Sequence, residues 1–475
     1  MKDNQNITIC FYARAGQLKL FVNIAKEIMS EKINCIFVTQ DKNETNYIEN
    51  NIENAKIYEI ESFLSERWDI QSNYDVKNLG IDISELNTWR MLYTDRFLVN
   101  YSTEDSKKMI YLHFMFYKEM FERDRPKYFI NEAIAIFSSY VALEVGKLYG
   151  CQYIGFIIAR DNANKEFFFF NDLYQKNTEM EYYYNNSTFT LDELEQAKKY
   201  LNRFRENNTT PAYMIKQGKA PKFTWKMPLY PFKYLLERNK NQYKEKVSYM
   251  SYNNAFNILN KPLLDYIRYR KSIKYYQRPV NGEKFYLFPL HFQPEASTLV
   301  CAQKYEKQLF AIDNIAKSIP NNTILYVKEH YSGLGHRDLH FYKEIEKYPN
   351  VRLIDPYEDI HTLIKDSLAC IVLTNTTGFE ALLHGKKVFV LGEVFYDFFD
   401  NVVKISDVYL ESEKLLDYEI NVGDQSIVKF ICAYKKSLYK GCVHPIFNEF
   451  SSEENINNLI DSFKEHVDRK NKLDL

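Results

Sequence analysis

The sequence predicts an α/β protein with two doubly wound, Rossmann-like domains and a helical insertion between them. In residues 321–397, four short apolar runs alternate with segments of helical spacing, which is typical of a parallel sheet covered by helices. A second strand–helix–strand rhythm opens the chain at residues 7–38. Since a chain of 475 residues is longer than a domain with a single hydrophobic core usually is, the length also favours two domains.

The first domain is predicted over residues 1–160. Apolar, β-branched runs predict strands at 7–12, 33–38, 56–60, 127–130 and 152–158. Helical spacing predicts helices at 103–122 and 133–148, whereas residues 62–101 show no clear pattern. Gly16 is the only glycine in the turn that follows the first strand. This turn is therefore not a dinucleotide fingerprint, which needs further glycines.

The insertion is predicted over residues 161–280, and Thr190 with Glu193 forms a capping box that opens a helix there. Residues 211–280 carry a net charge of +12 (15 basic against 3 acidic), interleaved with Tyr and Trp. This pattern favours an anionic membrane surface as a partner. Packing against acidic surface of this chain or of a second subunit is the alternative. Nucleic acid is disfavoured, because no nucleic-acid motif accompanies the charge.

The second domain is predicted over residues 281–420, followed by closing helices over 421–475. Its strands are expected at 284–289, 323–328, 349–354, 368–373 and 387–392. The closing helices are expected at 424–439 and 452–469.

Bulk composition excludes several classes of protein. The net charge of −1 gives no overall argument for nucleic-acid binding. Seven cysteines without a C-x-x-C pair favour buried thiols in a reducing compartment. The first residues lack a signal-peptide pattern, and no apolar run approaches the ~18 residues that span a membrane. We therefore expect a cytoplasmic protein, with peripheral membrane contact through the basic insertion.

The clearest candidate site follows the strand predicted at 368–373. Ligands of parallel sheets bind at the carboxyl ends of strands. Here a polar loop runs into the start of a helix, where free N–H groups and the helix dipole favour a phosphate. The candidate donor-binding residues of this loop are Thr374, Asn375, Thr376, Thr377 and Gly378. The alternative is a capping box of Thr377 and Glu380 that needs no ligand; Glu380 is also a candidate for binding ribose hydroxyls.

Two further polar clusters follow predicted strands. Lys328, Glu329 and His330 end one strand, and Arg337 follows on a glycine-containing loop that suits a phosphate clamp. Gln293 and Glu295 lie in the loop after the strand at 284–289. The alternatives are a structural histidine and an exposed turn.

A bound metal is not expected. The chain has no D-x-D, no H-E-x-x-H and no Cys/His set at zinc spacing, and no cofactor is called for.

The second half resembles a known family. The segments that carry the resemblance are Phe288 to Thr298, Val327 to His330, Gly335 to Arg337, Thr376 to Leu382 and Gly385 to Val388. Together they resemble the bacterial capsule polysaccharide biosynthesis family, which includes Kdo transferases. The resemblance covers residues 285–397 and implies a GT-B fold, with the donor nucleotide on the second domain and the acceptor on the first.

The resemblance also bears on single residues. Related CMP-sugar transferases use a His-Pro pair and a Ser/Thr pair for the nucleotide. Here Tyr331 follows His330, and Thr376 with Thr377 stands for the hydroxyl pair. Those transferases carry an acidic pair before Gly as the base, which Asn131-Glu132-Ala133 matches only in part.

A sugar transferase must deprotonate its acceptor, which requires a carboxylate or a histidine. Glu132, at a strand end of the first domain, is the candidate base, and His291 is the second catalytic candidate. The alternative for Glu132 is a solvated acid at the end of a strand.

The resulting expectation is a metal-independent glycosyltransferase of capsule or lipopolysaccharide biosynthesis. It would move a sugar from a nucleotide-sugar donor, with CMP-linked donors suggested by the resemblance, to a glycan or glycolipid acceptor. A sugar-nucleotide epimerase of related fold and a non-catalytic scaffold in capsule assembly are the alternatives.

Overall fold

A computed structural model describes residues 7–473 with eight internal gaps. The gaps are 71, 83, 97, 99–100, 161–163, 208–219, 225–254 and 420–422. For residues 207 and 255–260, only the backbone is described.

The described chain alternates strands and helices, as expected for an α/β protein. The strands are β1 Ile7–Tyr12, β2 Ile33–Thr39, β3 Lys56–Glu59, β4 Tyr128–Ile130, β5 Gln152–Ile158, β6 Glu166–Phe170, β7 Phe285–Pro289, β8 Ile324–Lys328, β9 Val351–Ile354, β10 Ala369–Val372, β11 Val388–Val390, β12 Val402–Lys404 and β13 Tyr439–Lys440. The helices are α1 Leu18–Ile28, α2 Lys42–Glu49, α3 Ile60–Arg67, α4 Thr88–Leu92, α5 Thr103–Asp124, α6 Phe137–Leu148, α7 Thr178–Asn186, α8 Leu191–Asn207, α9 Ala255–Ser272, α10 Ala296–Leu299, α11 Gln308–Ser318, α12 Leu339–Ile345, α13 Ile360–Asp366, α14 Thr376–Leu383, α15 Asp424–Lys436 and α16 Glu453–Leu473.

The chain forms two compact units. Among the described residues, the first unit comprises 7–177 and 438–473, and the second comprises the residues between them. The two predicted closing helices therefore separate, because α15 belongs to the second unit and α16 to the first.

The first unit is built on a seven-stranded sheet of order β13-β6-β5-β4-β1-β2-β3. The strands from β3 to β5 in this order are parallel, and β6 and β13 extend the sheet in antiparallel fashion. Both faces are covered, so the strands are almost continuously apolar. Ile9 and Phe11 belong to the core on one face, and Cys10 and Tyr12 to the core on the other.

Strand β6 extends the first sheet past residue 160, where the sequence suggested that the domain ends. Its run of four phenylalanines is buried, and Phe170 pairs with Gly155 of β5. A Cβ atom on Gly155 would collide with the Phe170 ring, so this glycine makes the close pairing possible. No strand was predicted at β6, although a short, continuous apolar run is consistent with a buried strand.

The second unit is built on a fully parallel six-stranded sheet of order β12-β11-β10-β7-β8-β9. Its core combines sheet residues such as Phe288 and Ile371 with helix residues such as Ile312 and Ile315. The predicted GT-B-like class is confirmed in that each unit has a parallel-strand sheet flanked by helices.

The predicted helical insertion is described in part. The capping box of Thr190 and Glu193 is confirmed: the Thr190 N–H donates to the Glu193 carboxylate (2.7 Å), and the Glu193 N–H donates to the Thr190 hydroxyl (3.2 Å). Much of the basic stretch 211–280, including Lys216, Lys219 and Lys226, lies outside the described residues. Within the described part of the chain, no helix has the length and apolar character needed to cross a bilayer.

The expectation of buried thiols is confirmed, because all seven cysteines are free and buried.

Two histidines join neighbouring helices of the second unit. His361 of α13 is fully buried, and its Nδ1 lies 3.1 Å from Nε2 of His384 at the end of α14. Phe204 of α8 packs against both rings. Burial lowers the pKa of His384 to about 4, and the neighbouring His361 and Lys365 act in the same direction.

This pair should make stability depend on pH. The unfolded chain takes up the His384 proton near its ordinary pKa of 6.5, but the folded chain does so only near 4. The stability contributed by the neutral ring is therefore complete above pH 6.5 and is lost as the pH falls toward 4. In urea unfolding, His384→Gln should lose less stability than wild type between pH 7.5 and pH 5. His340→Gln, at an exposed position on α12, should behave as wild type. An unchanged pH dependence in His384→Gln would contradict this assignment.

Candidate functional site

A polar cleft of about 220 Å³ lies in the second unit, at the carboxyl ends of β7, β8 and β10. These three strands are neighbours in the sheet, so the loops that follow them converge. The cleft is lined by His291, Glu295, Ser297, His330, Tyr331, Ser332, Thr374, Asn375, Thr376 and Thr377.

Seven of these ten residues were candidates from the sequence alone. Ser297, Tyr331 and Ser332 were missed. All three lie within two positions of residues that were chosen, and all three carry a hydroxyl group, which was the signal available in the sequence.

His291 is fixed by its backbone. It is buried, its N–H donates to Oε1 of Gln308 (2.8 Å), and its carbonyl oxygen accepts from Nε2 of Gln308 (3.1 Å). The backbone N–H of Thr374 donates to His291 Nε2 (3.2 Å). Gln308, itself buried, was not anticipated from the sequence.

These contacts determine the neutral tautomer of His291. Because a backbone N–H can only donate, Nε2 must accept, and the ring proton is on Nδ1. Nδ1 lies 3.4 Å from Ser297 Oγ and 3.7 Å from the Glu295 carboxylate. In this state, His291 donates a hydrogen bond on the cleft side and does not accept a proton there. This geometry suits a positioning role, and the catalytic role suggested for His291 from the sequence stays a prediction.

Glu295 supplies the carboxylate of the cleft. Its side chain is half-exposed and accepts a hydrogen bond from the Ser297 hydroxyl (3.0 Å). Burial acts to raise the pKa of Glu295, but hydrogen bonds from His291 and Ser297 bring it below its ordinary value. Glu295 is therefore ionised at neutral pH.

His330 directs a donor toward the cleft. Its Nδ1 accepts the backbone N–H of Ser332 (3.2 Å) and so caps the turn Tyr331–Gly333. The neutral ring therefore carries its proton on Nε2. Burial lowers the pKa of His330, although the nearby Glu295 carboxylate acts to raise it. A mostly neutral ring with one N–H to donate is the result.

The N-terminus of α14 opens into the same cleft. Asn375 is its N-cap residue, but the Asn375 side chain makes no capping hydrogen bond, and no acid lies in the first turn. The capping box considered for Thr377 and Glu380 is wrong, because the helix begins at Thr376 and Thr377 is already its second residue. The first N–H groups and the positive end of the helix dipole are left to bind an anion.

Two candidates on α14 turn away from the cleft. Gly378 is buried, and a Cβ atom there would collide with the hydroxyl of Tyr396, which donates to the Asn375 carbonyl (3.0 Å). Its role is thus to admit Tyr396 beneath the loop. Glu380 is buried and is not among the lining residues, so its ribose role stays a prediction.

Three charged candidates around β8, namely Lys328, Glu329 and Arg337, are bonded to other groups of the protein. Glu329 is buried and accepts two hydrogen bonds from Arg337 Nε (3.0 and 3.2 Å). Arg337 also donates through Nη2 to the His291 carbonyl. Lys328 is buried, donates to the Pro356 carbonyl (2.8 Å), and has a pKa lowered by burial to about 8. None of the three lines the cleft.

Gln293 lies elsewhere as well. Its side-chain amide donates to the Glu306 carbonyl, and it lines a neighbouring cavity of about 260 Å³ together with Arg337.

Glu132 lies in the first unit, directly after β4. Its carbonyl oxygen accepts from the hydroxyl of Tyr153 (3.0 Å). The carboxylate acts to raise the pKa of His444, which burial lowers below its ordinary value. An acid with a neighbouring imidazole is a combination the sequence did not reveal, because the two residues are 312 positions apart.

No group of three or more His, Cys, Asp or Glu side chains among the described residues is placed to hold a metal ion.

The sequence relationship concerns the segment that contains this cleft. Residues 230–400 match the capsule polysaccharide biosynthesis protein family. The predicted family resemblance is confirmed by this match. The family segment contains all ten residues that line the cleft. No curated protein matches the chain.

Three solved structures show partial similarity. The β-Kdo 2,7 transferase of Thermosulfurimonas dismutans KpsC is 12% identical, with 73% of this chain and 89% of that chain covered, at a TM-score of 0.39. The β-Kdo 2,4 transferase of the same protein is 11% identical, with 71% and 87% covered, at 0.40. The UDP-GlcNAc 2-epimerase of Methanocaldococcus jannaschii is 8% identical, with 90% and 99% covered, at 0.25. At these values the likenesses establish no activity.

The Glu329–Arg337 pair should be essential for stability. Arg337→Met would leave the Glu329 carboxylate buried without its cation, which typically costs about 3–5 kcal/mol. Urea unfolding measures the difference. Lys317→Met, which breaks the exposed pair with Asp313, is the matched control and should cost at most about 1 kcal/mol. If the two variants lose the same free energy of unfolding, the buried pair contributes no more to stability than the exposed pair, which would contradict this prediction.

Proposed function

We propose that this protein is a glycosyltransferase of surface polysaccharide or glycolipid synthesis, taking a sugar from a nucleotide-sugar donor. The observation that carries the proposal is the polar cleft at three neighbouring strand ends, lying wholly within the segment that matches the capsule polysaccharide biosynthesis family. Parallel α/β sheets bind their ligands at this edge.

The arrangement of donors suggests where the donor phosphate binds. The N-terminus of α14 supplies N–H groups and hydroxyls from Thr376 and Thr377, and His330 supplies an Nε2 proton. The ionised Glu295 would repel a phosphate, so the phosphate belongs on the α14 and His330 side. Glu295 then suits hydroxyl groups of the ribose or of the transferred sugar.

The charge of the cleft favours a donor with one phosphate. Among the described residues, no Lys or Arg lines the cleft, and the nearby Lys328 and Arg337 are bonded elsewhere. Enzymes usually offset a diphosphate with several cations or a metal ion. A helix N-terminus and neutral donors match a single phosphate better, which supports a CMP-linked donor over a UDP- or GDP-linked one.

The acceptor and its base belong to the first unit in this proposal. Glu132, with His444 nearby, would take the proton of the acceptor hydroxyl. No divalent cation or cofactor is required by the residues that line the cleft.

Peripheral membrane contact through the basic stretch is part of the same proposal. Its described portion supports this in α9, where Leu263, Leu264 and Ile267 are exposed. Residues 255–280 contain six basic residues against one acidic residue. Exposed apolar side chains beside cations suit the surface of an anionic bilayer.

A nucleotide screen followed by a turnover assay tests the proposed activity. CMP is expected to raise the melting temperature more than CDP, UDP or GDP, because the cleft suits a single phosphate. A ligand at 100 times its Kd adds about 2.7 kcal/mol of stability, so the preferred nucleotide should give a measurable shift. Slow hydrolysis of the matching nucleotide sugar should follow. Epimerisation of the nucleotide sugar without any transfer would favour the epimerase alternative. If the protein neither binds a nucleotide nor hydrolyses a nucleotide sugar, the non-catalytic scaffold is the remaining alternative.

The role of His330 can be measured directly. His330→Ala removes one donor to the phosphate and should weaken binding of the preferred nucleotide by about 1.5–3 kcal/mol in calorimetry. His340→Ala, on the exposed face of α12, is the matched control and should bind as wild type. Unchanged affinity in His330→Ala would make that histidine structural.

Turnover should persist when divalent cations are removed. Because Glu295 is the one carboxylate in the described lining of the cleft, EDTA is expected to leave the rate of sugar transfer unchanged. Loss of transfer in EDTA, with recovery on adding Mg²⁺ or Mn²⁺, would contradict a metal-independent mechanism.

A further inference from the structure

The first unit contains an apolar cavity that the proposed function does not use. Its volume is about 380 Å³, and 18 of its 20 lining residues are apolar or aromatic. Cavities of this size are within the range of small-molecule binding sites. An apolar cavity also stays dry and takes up apolar ligands, because water finds no polar partners there.

The walls come from one face of the sheet and two helices. The sheet contributes alternate residues such as Ile9 and Phe11 of β1, which point to the same face. Helix α1 contributes Leu20, Ile24 and Ile28, which are spaced four residues apart and so form one stripe. Helix α16 contributes a matching stripe over 459–467.

The cavity reaches the amino-terminal edge of the sheet. Ile7, Ile33 and Tyr128 are the first residues of β1, β2 and β4, and all three line it. Ile28 and Val467 are only partly buried at this end. Ligands of the sugar-nucleotide kind bind at the opposite, carboxyl edge of such sheets. The cavity is therefore a separate site of different chemistry.

Charged groups occur only at the rim. Lys464 and Asp468 of α16 are the two charged lining residues, and both are exposed. Lys127 lies with its ammonium 5.3 Å from the ring centre of Tyr128, which adds a second cation next to the cavity. Lys464 also pairs with Asp461 of its own helix (3.4 Å), an exposed pair that leaves further ammonium protons for a ligand. An apolar interior with two lysines and Asp468 at its rim complements a chain-like ligand that has an anionic end beside Lys464.

We propose that this cavity binds a single medium-chain fatty acid, with its hydrocarbon chain between the sheet and helices α1 and α16 and its carboxylate beside Lys464. The chain would fill space that otherwise leaves the facing side chains without contacts. The proposal does not depend on the sugar-transfer activity, because the cleft residues lie in the other unit.

Binding can be tested on the full-length protein after removal of copurified lipid by hydrophobic exchange. Laurate at micromolar concentrations should bind with a stoichiometry of one in calorimetry and should raise the melting temperature. Ile460→Trp places a larger side chain in the cavity and should weaken laurate binding by at least about tenfold. Asn457→Trp, at an exposed position of the same helix outside the cavity, should bind as wild type.

A second variant tests the placement of the head group. Lys464→Glu should weaken laurate binding by about threefold to fivefold, as expected for an exposed charge pair, but should leave binding of the uncharged dodecanol unchanged. Circular dichroism and a cooperative urea unfolding transition, which each variant should retain, confirm that each variant is folded. No binding of laurate to the wild type, or undiminished binding by folded Ile460→Trp, would overturn the proposal. Equal effects of Lys464→Glu on laurate and dodecanol would overturn the placement of the carboxylate.

Discussion

The buried carboxylate of Glu329 is the group around which the second unit is arranged. It accepts from the Arg337 guanidinium, from the His330 backbone N–H (2.8 Å) and from the Tyr342 hydroxyl (3.2 Å). A buried carboxylate is stable only when such partners surround it. Gly333 is needed for this arrangement, because a Cβ atom there would lie 2.6 Å from Glu329 Oε1. The carboxylate thus sets the path of the loop after β8.

This network also determines the shape of the cleft. Arg337 connects Glu329 to the carbonyl of His291, so the loops after β8 and β7 are joined beneath the lining residues. The Thr374 N–H then connects the loop after β10 to the His291 ring. The three polar loops form one surface because the loops after β7 and β8 are bonded to the Glu329–Arg337 pair and the loop after β10 is bonded to the His291 ring. Rigid support of this kind is what precise ligand positioning requires.

The sequence predicted the strands and the convergence of the loops. It did not predict which side chains of each loop line the cleft and which are buried in the interior. Apolar runs in the sequence predicted five of the six parallel strands of the second sheet. The exception is β12, a strand of three residues, none of which is fully buried. The three-residue cluster Lys328-Glu329-His330 was correctly placed at a strand end. Sequence could not tell that Lys328 and Glu329 turn inward while His330 turns outward. That choice depends on Pro356, which is 28 positions from Lys328, and on the path of the loop that returns Arg337 to Glu329.

The withdrawal of Lys328 and Arg337 into the interior has a consequence for the proposed chemistry. A cation in the cleft would hold the phosphate of the released nucleotide more strongly than that of the donor, because the phosphate gains negative charge on leaving, and this would slow product release. Helix N–H groups and neutral donors interact more strongly as negative charge develops on the departing phosphate. Thr376, Thr377 and His330 are placed to act in this way, and their weak hold on the nucleotide before and after transfer would favour its release. The interior ion pair therefore serves the proposed reaction twice, by shaping the cleft and by keeping its own cation out of it.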